Sequence, residues 1–488
     1  MKNINEEYLV SLVKELCKLP KECEWVEFKH NNPNKQDIGE YISALSNSAT
    51  LVGKATAYVV WGIDDKNHEI VGTSFDPFME KVGNEELENW LLQRLNPKLH
   101  FRFFRIQIDE KTIIILEIPA AFKHPTSFQR EELIRVGSYR KKMKDFQEKE
   151  RELWRALDKT PFEVMPAVER ISATDVLDLL DYPSYFDLLK QPLPDGREAI
   201  LSALKDEDFI WQDDAGFYAI TNLGAILFAK DLNQFKMLSR KAVRIIQYRG
   251  DNKIKTLREQ VNYKGYAIGF KSIIDFIMTL IPSQESIDSP IRKTETLFPE
   301  LAIRELVANA IIHQDFTETG TGVMVELYDT RIEISNPGCP LVNIERFLDT
   351  PPKSRNEKLA SLMRRMGICE ERGSGIDKVV MEIELRQLPA PIFEAPEGFT
   401  RSVLFSYRKL RNLTKQDRNR ATYFHACLKY IERDYMSNSS LRQRFGIEER
   451  NSSMVSRIIK DALEAKAIVP YDNSASKKFM KYLPWWAK

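Results

Sequence analysis

The stretch IRELVANAII, from Ile303 to Ile312, is the most informative part of this 488-residue chain. Its apolar residues recur at helical spacing, which predicts one amphipathic helix. Glu305 and Asn309 are four residues apart and therefore project from nearly the same side of that helix. An amide oxygen can bind a hydrated Mg²⁺ that carries phosphates, while a neighbouring carboxylate polarises a water for attack on the last phosphate. The stretch therefore predicts a nucleotide site in which Asn309 is a metal ligand and Glu305 is catalytic.

Further polar and glycine-containing segments follow this helix. Small glycine loops admit a triphosphate against backbone N–H groups, and an arginine after the Pro351-Pro352 turn suits a lid segment over phosphates. The alternative for His313 is packing at a helix end, and the alternative for Arg355 is a solvated position in a loop. The residues predicted to bind nucleotide together with Asn309 are His313, Asn336, Gly338, Arg355, Gly373 and Gly375.

The order of these segments resembles that of the GHKL ATPase superfamily, especially a bacterial branch fused behind a Schlafen-like domain. The helix with Glu305 and Asn309 resembles the N box of that superfamily. RIEISNPG (Arg331–Gly338) resembles its first glycine box, and ERGSGI (Glu371–Ile376) resembles its second. The resemblance implies an α/β sandwich that binds ATP with Mg²⁺, or alternatively Mn²⁺, and that self-associates as a homo-oligomer. The alternative is an ordinary amphipathic helix followed by two unrelated loops.

One position departs from the superfamily pattern. Asn336 offers an amide where the superfamily has an aspartate that contacts the adenine amino group. The resemblance therefore leaves the base preference and the hydrolysis of the nucleotide open.

Acidic residues mark the first 150 residues. Glu22 and Glu27 are five residues apart around the start of a predicted strand, Lys29 follows on the Glu27 face, and Asp64-Asp65 ends a later strand. If neighbouring strands bring these acids together, Glu22, Glu27 and Asp64 would hold one or two divalent metals for phosphodiester cleavage. Lys29 would then neutralise developing charge.

This first segment resembles the Schlafen AlbA-like domain, whose cleaving members use a Glu, a second Glu five residues on, and a later Asp. Glu22, Glu27 and Asp64 or Asp65 match those positions, so all four acids and Lys29 are candidate catalytic residues. The alternative is an exposed charge pattern with hairpin-turn aspartates, which binds nucleic acid without cutting it.

The net charge of +1 hides a basic end of the chain, because 18 Lys and Arg stand against 8 Asp and Glu from Arg408 to Lys488. Basic segments attract nucleic-acid phosphates. LRQRFG followed by SMVSRIIKDAL predicts a helix-turn-helix, and a second basic run closes the first segment. A solvated face and protein contacts are the alternatives. The residues predicted to contact nucleic acid are Arg140, Lys141, Lys142, Arg442, Arg444 and Arg457.

The composition predicts a cytoplasmic protein. The five cysteines lack CxxC spacing, which favours neither a zinc site nor a disulfide framework and indicates a reducing compartment. MKNINEEYLV lacks the pattern of a signal peptide, and no run approaches the roughly 18 apolar residues of a spanning helix. We therefore expect no membrane association.

The element pattern predicts an α+β multi-domain protein. We expect an AlbA-like domain (residues 1–150), a helical, winged-helix-like connecting domain (151–289), a GHKL-like ATP-binding domain (290–408) and a C-terminal winged helix (409–488). The favoured function is that of an ATP-binding regulatory or defence protein, in which the GHKL-like domain gates a DNA- or RNA-binding apparatus. The alternatives are a metal-dependent ribonuclease that cuts tRNA-type substrates under nucleotide control, and a nonenzymatic scaffold with a degenerate ATPase fold.

Overall fold

The computed structural model describes residues 6–19, 23–122, 124–159, 162–213, 216–286, 293–369, 375–472, 474, 476 and 479–487. Two predicted site residues, Glu22 and Gly373, lie outside these ranges. The chain divides into two compact units, of which the first comprises residues 1–173 and 210–219 and the second residues 174–209 and 220–488. The finer division into four domains stays a prediction.

The first unit is a mixed α+β structure. Its helices are α1 (Glu6–Cys17), α2 (Lys35–Leu51), α3 (Leu87–Arg94) and α4 (Gln147–Lys159). Its strands are β1 (Val26–Lys29), β2 (Thr56–Trp61), β3 (Lys81–Val82), β4 (Glu85–Glu86), β5 (Leu95–Asn96), β6 (Arg102–Ile108), β7 (Lys111–Pro119), β8 (Ser127–Phe128), β9 (Glu131–Val136), β10 (Tyr139–Lys142), β11 (Pro166–Ile171), β12 (Ile210–Gln212) and β13 (Tyr218–Thr221), the last of which crosses into the second unit.

A four-stranded sheet in the order β1-β2-β7-β6 forms the centre of the first unit. Apolar side chains cover both faces of this sheet. On one face, Leu12 of α1 packs in a cluster with Phe28, and on the other, Ile42 of α2 packs in a cluster with Trp61. Strands buried on both faces have near-continuous apolar sequences, as TAYVVW of β2 does.

The second unit contains the larger sheet. Its helices are α5 (Ala173–Leu179, which starts at the boundary), α6 (Tyr182–Leu188), α7 (Arg197–Asp206), α8 (Asn222–Phe228), α9 (Tyr266–Leu280), α10 (Glu300–His313), α11 (Glu357–Arg365), α12 (Gly375–Leu385), α13 (Lys415–Ile431), α14 (Asn438–Arg444) and α15 (Ser452–Glu464). Its strands are β14 (Val243–Tyr248), β15 (Thr256–Asn262), β16 (Ser283–Ser286), β17 (Lys293–Thr296), β18 (Met324–Leu327), β19 (Arg331–Pro337), β20 (Ile392–Glu394), β21 (Phe399–Phe405), β22 (Ile468–Pro470) and β23 (Tyr482–Pro484).

Six of these strands form one sheet in the order β15-β14-β18-β19-β21-β20. Strands β14 and β18 run parallel, and the other neighbours run antiparallel. Helix α10 packs against β19, α9 and α12. Its apolar residues are buried as the helical spacing predicts, among them Ile303, Leu306, Val307 and Ile311. The structure thereby confirms an α+β multi-domain fold.

The order of elements also agrees with the segments expected to be winged helices. Helices α13, α14 and α15 precede the antiparallel pair β22–β23, and α7, β12, β13 and α8 follow one another in the middle of the chain. Both winged-helix assignments stay predictions. Among the described residues, no helix combines the length and the apolar character needed to cross a bilayer.

Gly39 tests the packing of the first unit. A Cβ atom at this position of α2 would lie 2.2 Å from ring carbons of the buried Phe128. Overpacking of this kind costs about 1–3 kcal/mol, which exceeds the roughly 1 kcal/mol that alanine gains over glycine in a helix. We therefore expect Gly39→Ala to lower the denaturant midpoint of unfolding.

The control for this prediction is a double-mutant cycle with Phe128→Leu. The combined variant should lose less stability than the sum of the two single variants, because the smaller side chain relieves the clash. Additive losses, or a Gly39→Ala protein as stable as the parent, would contradict the close contact.

Candidate functional site

A cavity of about 430 Å³ lies beside α10 in the second unit. Its volume falls within the roughly 300–1,000 Å³ that is usual for small-molecule sites. Helix α10 forms one wall, the ends of β19 and β21 form the floor, and a segment after β19 forms the cover. We define this cover segment as residues 339–355. The lining includes Glu305, Asn309, His313, Ile334, Asn336, Leu341, Phe347, Lys353, Arg355, Arg364, Gly375, Thr400 and Ser402.

Glu305 and Asn309 both line this cavity. Each is partly buried, whereas the neighbouring Leu306 and Ala310 belong to the buried face of α10. Since residues four apart lie one turn above each other on a helix, the apolar contacts of α10 fix both polar side chains along one wall. The acid and the amide predicted from the sequence therefore share one opening.

Gly375, the first residue of α12, stands directly against this pair. A Cβ atom there would lie 2.7 Å from Oε2 of Glu305 and 3.7 Å from Nδ2 of Asn309. Only glycine allows the helix to start this close without displacing the carboxylate. The free N–H groups at the start of a helix favour anions, so α12 is suitably placed for a phosphate beside Asn309.

The cover segment is fastened to the C-terminal end of α10. Arg355 donates from Nη1 to the carbonyl of His313 (2.7 Å) and from Nη2 to the carbonyl of Cys339 (3.1 Å). The buried Asn356 donates from Nδ2 to the carbonyls of Ile312 (2.7 Å) and Gln314 (2.9 Å). These bonds satisfy carbonyls that a helix end leaves without partners. Arg355 is therefore not a solvated loop residue, and its guanidinium is held at the edge of the cavity.

Gly338 leaves room for this arginine. Its φ is +101°, and a Cβ atom would lie 2.5 Å from Nη1 of Arg355. The glycine predicted from the sequence to approach phosphates thus has a packing role in the structure. The preceding Asn336 is buried, lines the cavity and donates from Nδ2 to the carbonyl of Pro337 (3.0 Å).

The charges around the cavity suit a polyanion with a metal ion. Cationic side chains at Lys353, Arg355 and Arg364 line it together with the acids Glu305 and Glu357. Burial, and secondarily the Arg355 cation, lower the pKa of His313, which favours the neutral imidazole. The carboxamide oxygen of Asn309 and the carboxylate of Glu305 are donors that Mg²⁺ accepts. The residues therefore fit a metal-bound nucleoside triphosphate.

The acids of the first unit have a different environment from the one expected. Glu27 is buried, with a 3% exposed surface, although the strand pattern suggested an open face. Its carboxylate pairs with the buried Arg135 through Oε2 and with Lys29 through Oε1 (2.8 Å). Lys29 Nζ also lies 3.4 Å from Oδ2 of Asp65. Helix α2 and the layers packed on it cover this face of the sheet, which a strand pattern alone does not reveal.

Asp64 forms a turn. Its Oδ1 accepts backbone hydrogen bonds from Lys66 (2.9 Å) and Asn67 (3.2 Å), and these bonds lower the pKa of the exposed carboxyl. Within the described part of the chain, no group of three or more His, Cys, Asp or Glu side chains is placed to hold a metal. Glu22 lies outside that part, so a nuclease role for these acids stays a prediction.

Several of the residues predicted to contact nucleic acid lie beside acidic side chains or near an aromatic ring. Arg140 pairs with Asp37 and Glu40 at the start of α2, Lys142 pairs with Glu131, and Arg442 lies 3.7 Å from Glu449. Lys141 is exposed, with its Nζ 5.9 Å from the centre of the Tyr139 ring. The exposed Arg457 lies on the outer side of α15.

Arg444 requires a correction. Its side chain is buried, donates to the carbonyl of Leu388 (2.7 Å) and lies 3.5 Å from Glu384 of α12. Burial lowers its pKa, with the Glu384 charge acting in the opposite direction. A phosphate on the surface cannot reach this guanidinium, so Arg444 holds α14 against α12 instead of contacting nucleic acid.

Several site residues were not found from the sequence. Lys353, Arg364 and Phe347 line the cavity because the chain folds back between β19 and α11, and no spacing rule encodes that path. Arg135 is 108 residues from Glu27. The sequence showed Arg135 as part of the basic run that closes the first segment, and it did not reveal the buried pair with Glu27.

The six-stranded sheet, with α10 packed on it, carries the acid–amide pair beside the cavity, and the first unit is a separate α+β domain. Residues 320–404 match the family described as "Putative ATP-dependent DNA helicase recG C-terminal". Residues 22–144 match the Schlafen AlbA_2 family. The chain therefore joins a Schlafen AlbA_2 domain to an ATPase-type domain, which confirms the fusion expected from the sequence. The two matches indicate a nucleic-acid-related, ATP-binding protein.

Two solved structures are similar to this chain. The crystal structure of the DIP2311 protein from Corynebacterium diphtheriae shares 16% identity, with 98% of this chain and 97% of that chain covered and a TM-score of 0.43. The solution structure of the N-terminal domain of a RecG-related protein from Nitrosomonas europaea shares 21% identity over 26% of this chain and 88% of that chain, with a TM-score of 0.19. No curated protein matches the sequence.

Glu27→Gln tests the buried ion pairs of the first unit. The change removes a negative charge between Arg135 and Lys29 while preserving volume. Removing one partner of a buried pair is strongly destabilising, so we expect a loss of about 3 kcal/mol in the free energy of unfolding. Chemical denaturation of the full-length protein measures this loss.

The matched control is Glu131→Gln, which breaks an ion pair on the exposed surface with Lys142. Exposed pairs contribute little, so this variant should unfold close to the parent. An equal loss of unfolding free energy in the two variants would contradict the structural role assigned to Glu27.

Proposed function

We propose that this protein is an ATP-binding, nucleic-acid-directed regulatory or defence protein whose ATPase-type domain controls its nucleic-acid-binding parts. The observation that carries this proposal is the cavity of about 430 Å³ with Glu305, Asn309 and Gly375 brought together on one side. The family match begins at residue 320. The assignment of Glu305 and Asn309 on α10 therefore rests on geometry and on the sequence pattern.

Each residue at this side of the cavity has a distinct part in the proposal. Asn309 supplies an amide oxygen to the metal, and Glu305 orients and deprotonates the attacking water. A bound Mg²⁺ would neutralise the phosphates and hold them in place. Arg355, fixed by two backbone carbonyls, places positive charge at the cover without needing to reorganise.

The nucleic-acid side of the proposal rests on the basic C-terminal end and on the AlbA_2 match. Arg457 and Lys460 are exposed along the outer side of α15, while Ile458 and Ile459 are buried beneath them. A helix with an apolar inner face and a basic outer face suits contact with phosphates. We infer that ATP acts as a switch, since a ligand shifts an equilibrium only when it contacts one arrangement better than another.

Asn309→Ala and Glu305→Gln separate binding from hydrolysis. Loss of the metal ligand should abolish measurable ATP affinity in calorimetry with Mg²⁺. Glu305→Gln keeps the shape and should bind ATP within a few-fold of the parent, while turnover falls about 100-fold or more.

The control for Asn309→Ala is Asn451→Ala. Asn451 is exposed, and its side chain forms no capping hydrogen bond to α15. Unchanged ATP affinity in Asn309→Ala, or no affinity in the parent, would refute the nucleotide site.

Arg457→Gln tests the nucleic-acid face. Loss of one phosphate contact should weaken binding of DNA or RNA and reduce the slope of log affinity against log salt by about 1. Filter binding over a salt series measures both quantities. Arg258→Gln, an exposed arginine on β15, should leave them unchanged. Absence of any salt-dependent affinity in the parent protein would be decisive against this part of the proposal.

A further inference from the structure

The cover segment (residues 339–355) has a second side, which faces the helices after residue 415. We define residues 415–487 as the C-terminal segment. The hydroxyl of Tyr423, on α13, donates a hydrogen bond to the carbonyl of Glu345 in the cover segment. Trp486 donates from Nε1 to the same hydroxyl at 2.9 Å. One tyrosine hydroxyl therefore joins the cover of the cavity to the end of the C-terminal segment.

Aromatic and cationic contacts reinforce this junction. The guanidinium of Arg346 lies 4.8 Å from the centre of the Trp486 ring. Phe347 lines the cavity, and the centre of its ring lies 5.3 Å from the centre of the Phe393 ring. The Phe393 ring centre in turn lies 6.0 Å from that of Phe424 on α13. The rings of Phe347, Phe393 and Phe424 therefore form a packed series from the cavity to the C-terminal segment.

Helix α12, whose first residues also line the cavity, is held by the same segment. Helix α12 begins at Gly375 against Glu305, and near its other end Glu384 accepts from Nδ1 of His425 at 2.5 Å. The second ring nitrogen of His425 lies 3.0 Å from the hydroxyl of Ser440. Arg444 binds the carbonyl of Leu388, just after α12. Both the cover and the α12 wall are therefore anchored on α13 and α14.

We infer that the C-terminal segment positions the cover of the nucleotide cavity through Tyr423, and that nucleotide binding and the state of this segment are thermodynamically linked. This inference rests on the proposed ATP site and deepens it. A nucleotide that contacts the cover favours the position of Glu345 and Phe347 that Tyr423 and Phe393 hold, and this position in turn favours the nucleotide. Linkage is reciprocal. If the nucleotide changes the affinity of the C-terminal segment for a second ligand by some factor, that second ligand changes the affinity of the cavity for the nucleotide by the same factor.

Tyr423→Phe removes the hydroxyl and preserves the ring. Its control is Tyr430→Phe, since Tyr430 also lies on α13 and packs edge-on against Trp486 at 5.0 Å. The probe is a non-hydrolysable ATP analogue with Mg²⁺, and the readout is backbone hydrogen exchange of the full chain with and without that probe. Hydrogen exchange resolves where stabilisation occurs along the chain.

In the parent and in Tyr430→Phe, we expect the probe to slow exchange around residues 305–313 and also in residues 421–428 and 482–486, which do not line the cavity. In Tyr423→Phe, slowing should persist at 305–313 and disappear from the two C-terminal stretches. We also expect about a fivefold or greater loss of probe affinity, the lower end of typical coupling. A merely structural role for the hydroxyl would not remove the distant response while leaving the local one.

Two outcomes would overturn the inference while the ATP site stands. One is a parent protein in which protection is confined to the cavity, and the other is a Tyr423→Phe protein whose distant protection equals that of the parent. A parent protein without any probe-dependent change, including at residues 305–313, would instead refute the proposed function and this inference with it.

Discussion

Helix α10 must bury one face in the larger unit and still present two polar side chains to a cavity, and the rest of the proposed site depends on this constraint. Ile303, Leu306, Val307 and Ile311 fix the rotation of the helix about its axis. That rotation places Glu305 and Asn309 on the cavity wall. A small rotation would bury the carboxylate at a considerable desolvation cost. The apolar residues of this helix are therefore as necessary to the site as the polar ones.

The glycines and the cover segment follow from the same constraint. Because α10 brings its acid close to the start of α12, a side chain at position 375 would displace the carboxylate of Glu305, and Gly375 avoids this. The last carbonyls of α10 need donors, and the side chains of Arg355 and Asn356 donate hydrogen bonds to them. Gly338 provides the space for the arginine. The cover is thus attached to the helix that carries the acid–amide pair. Packing at one helix determines the geometry on three sides of the cavity.

The sequence predicted those features that depend on local periodicity. The helical spacing of α10 and the shared side of Glu305 and Asn309 depend only on residues within four positions of each other. Features that depend on distant packing were not predictable. The pairing of Glu27 with Arg135 joins two strands far apart in the sequence, and the burial of Arg444 depends on how α14 packs against α12. The pattern LRQRFG is compatible with either an exposed or a buried arginine at its fourth position.

The most direct test of the account is a crystal structure of the protein with a non-hydrolysable ATP analogue and Mg²⁺. We expect the triphosphate in the cavity that Asn309, Glu305 and Gly375 line, with the amide oxygen of Asn309 on the metal and Glu305 facing the terminal phosphate. A nucleotide bound elsewhere, or a metal coordinated without Asn309, would contradict it.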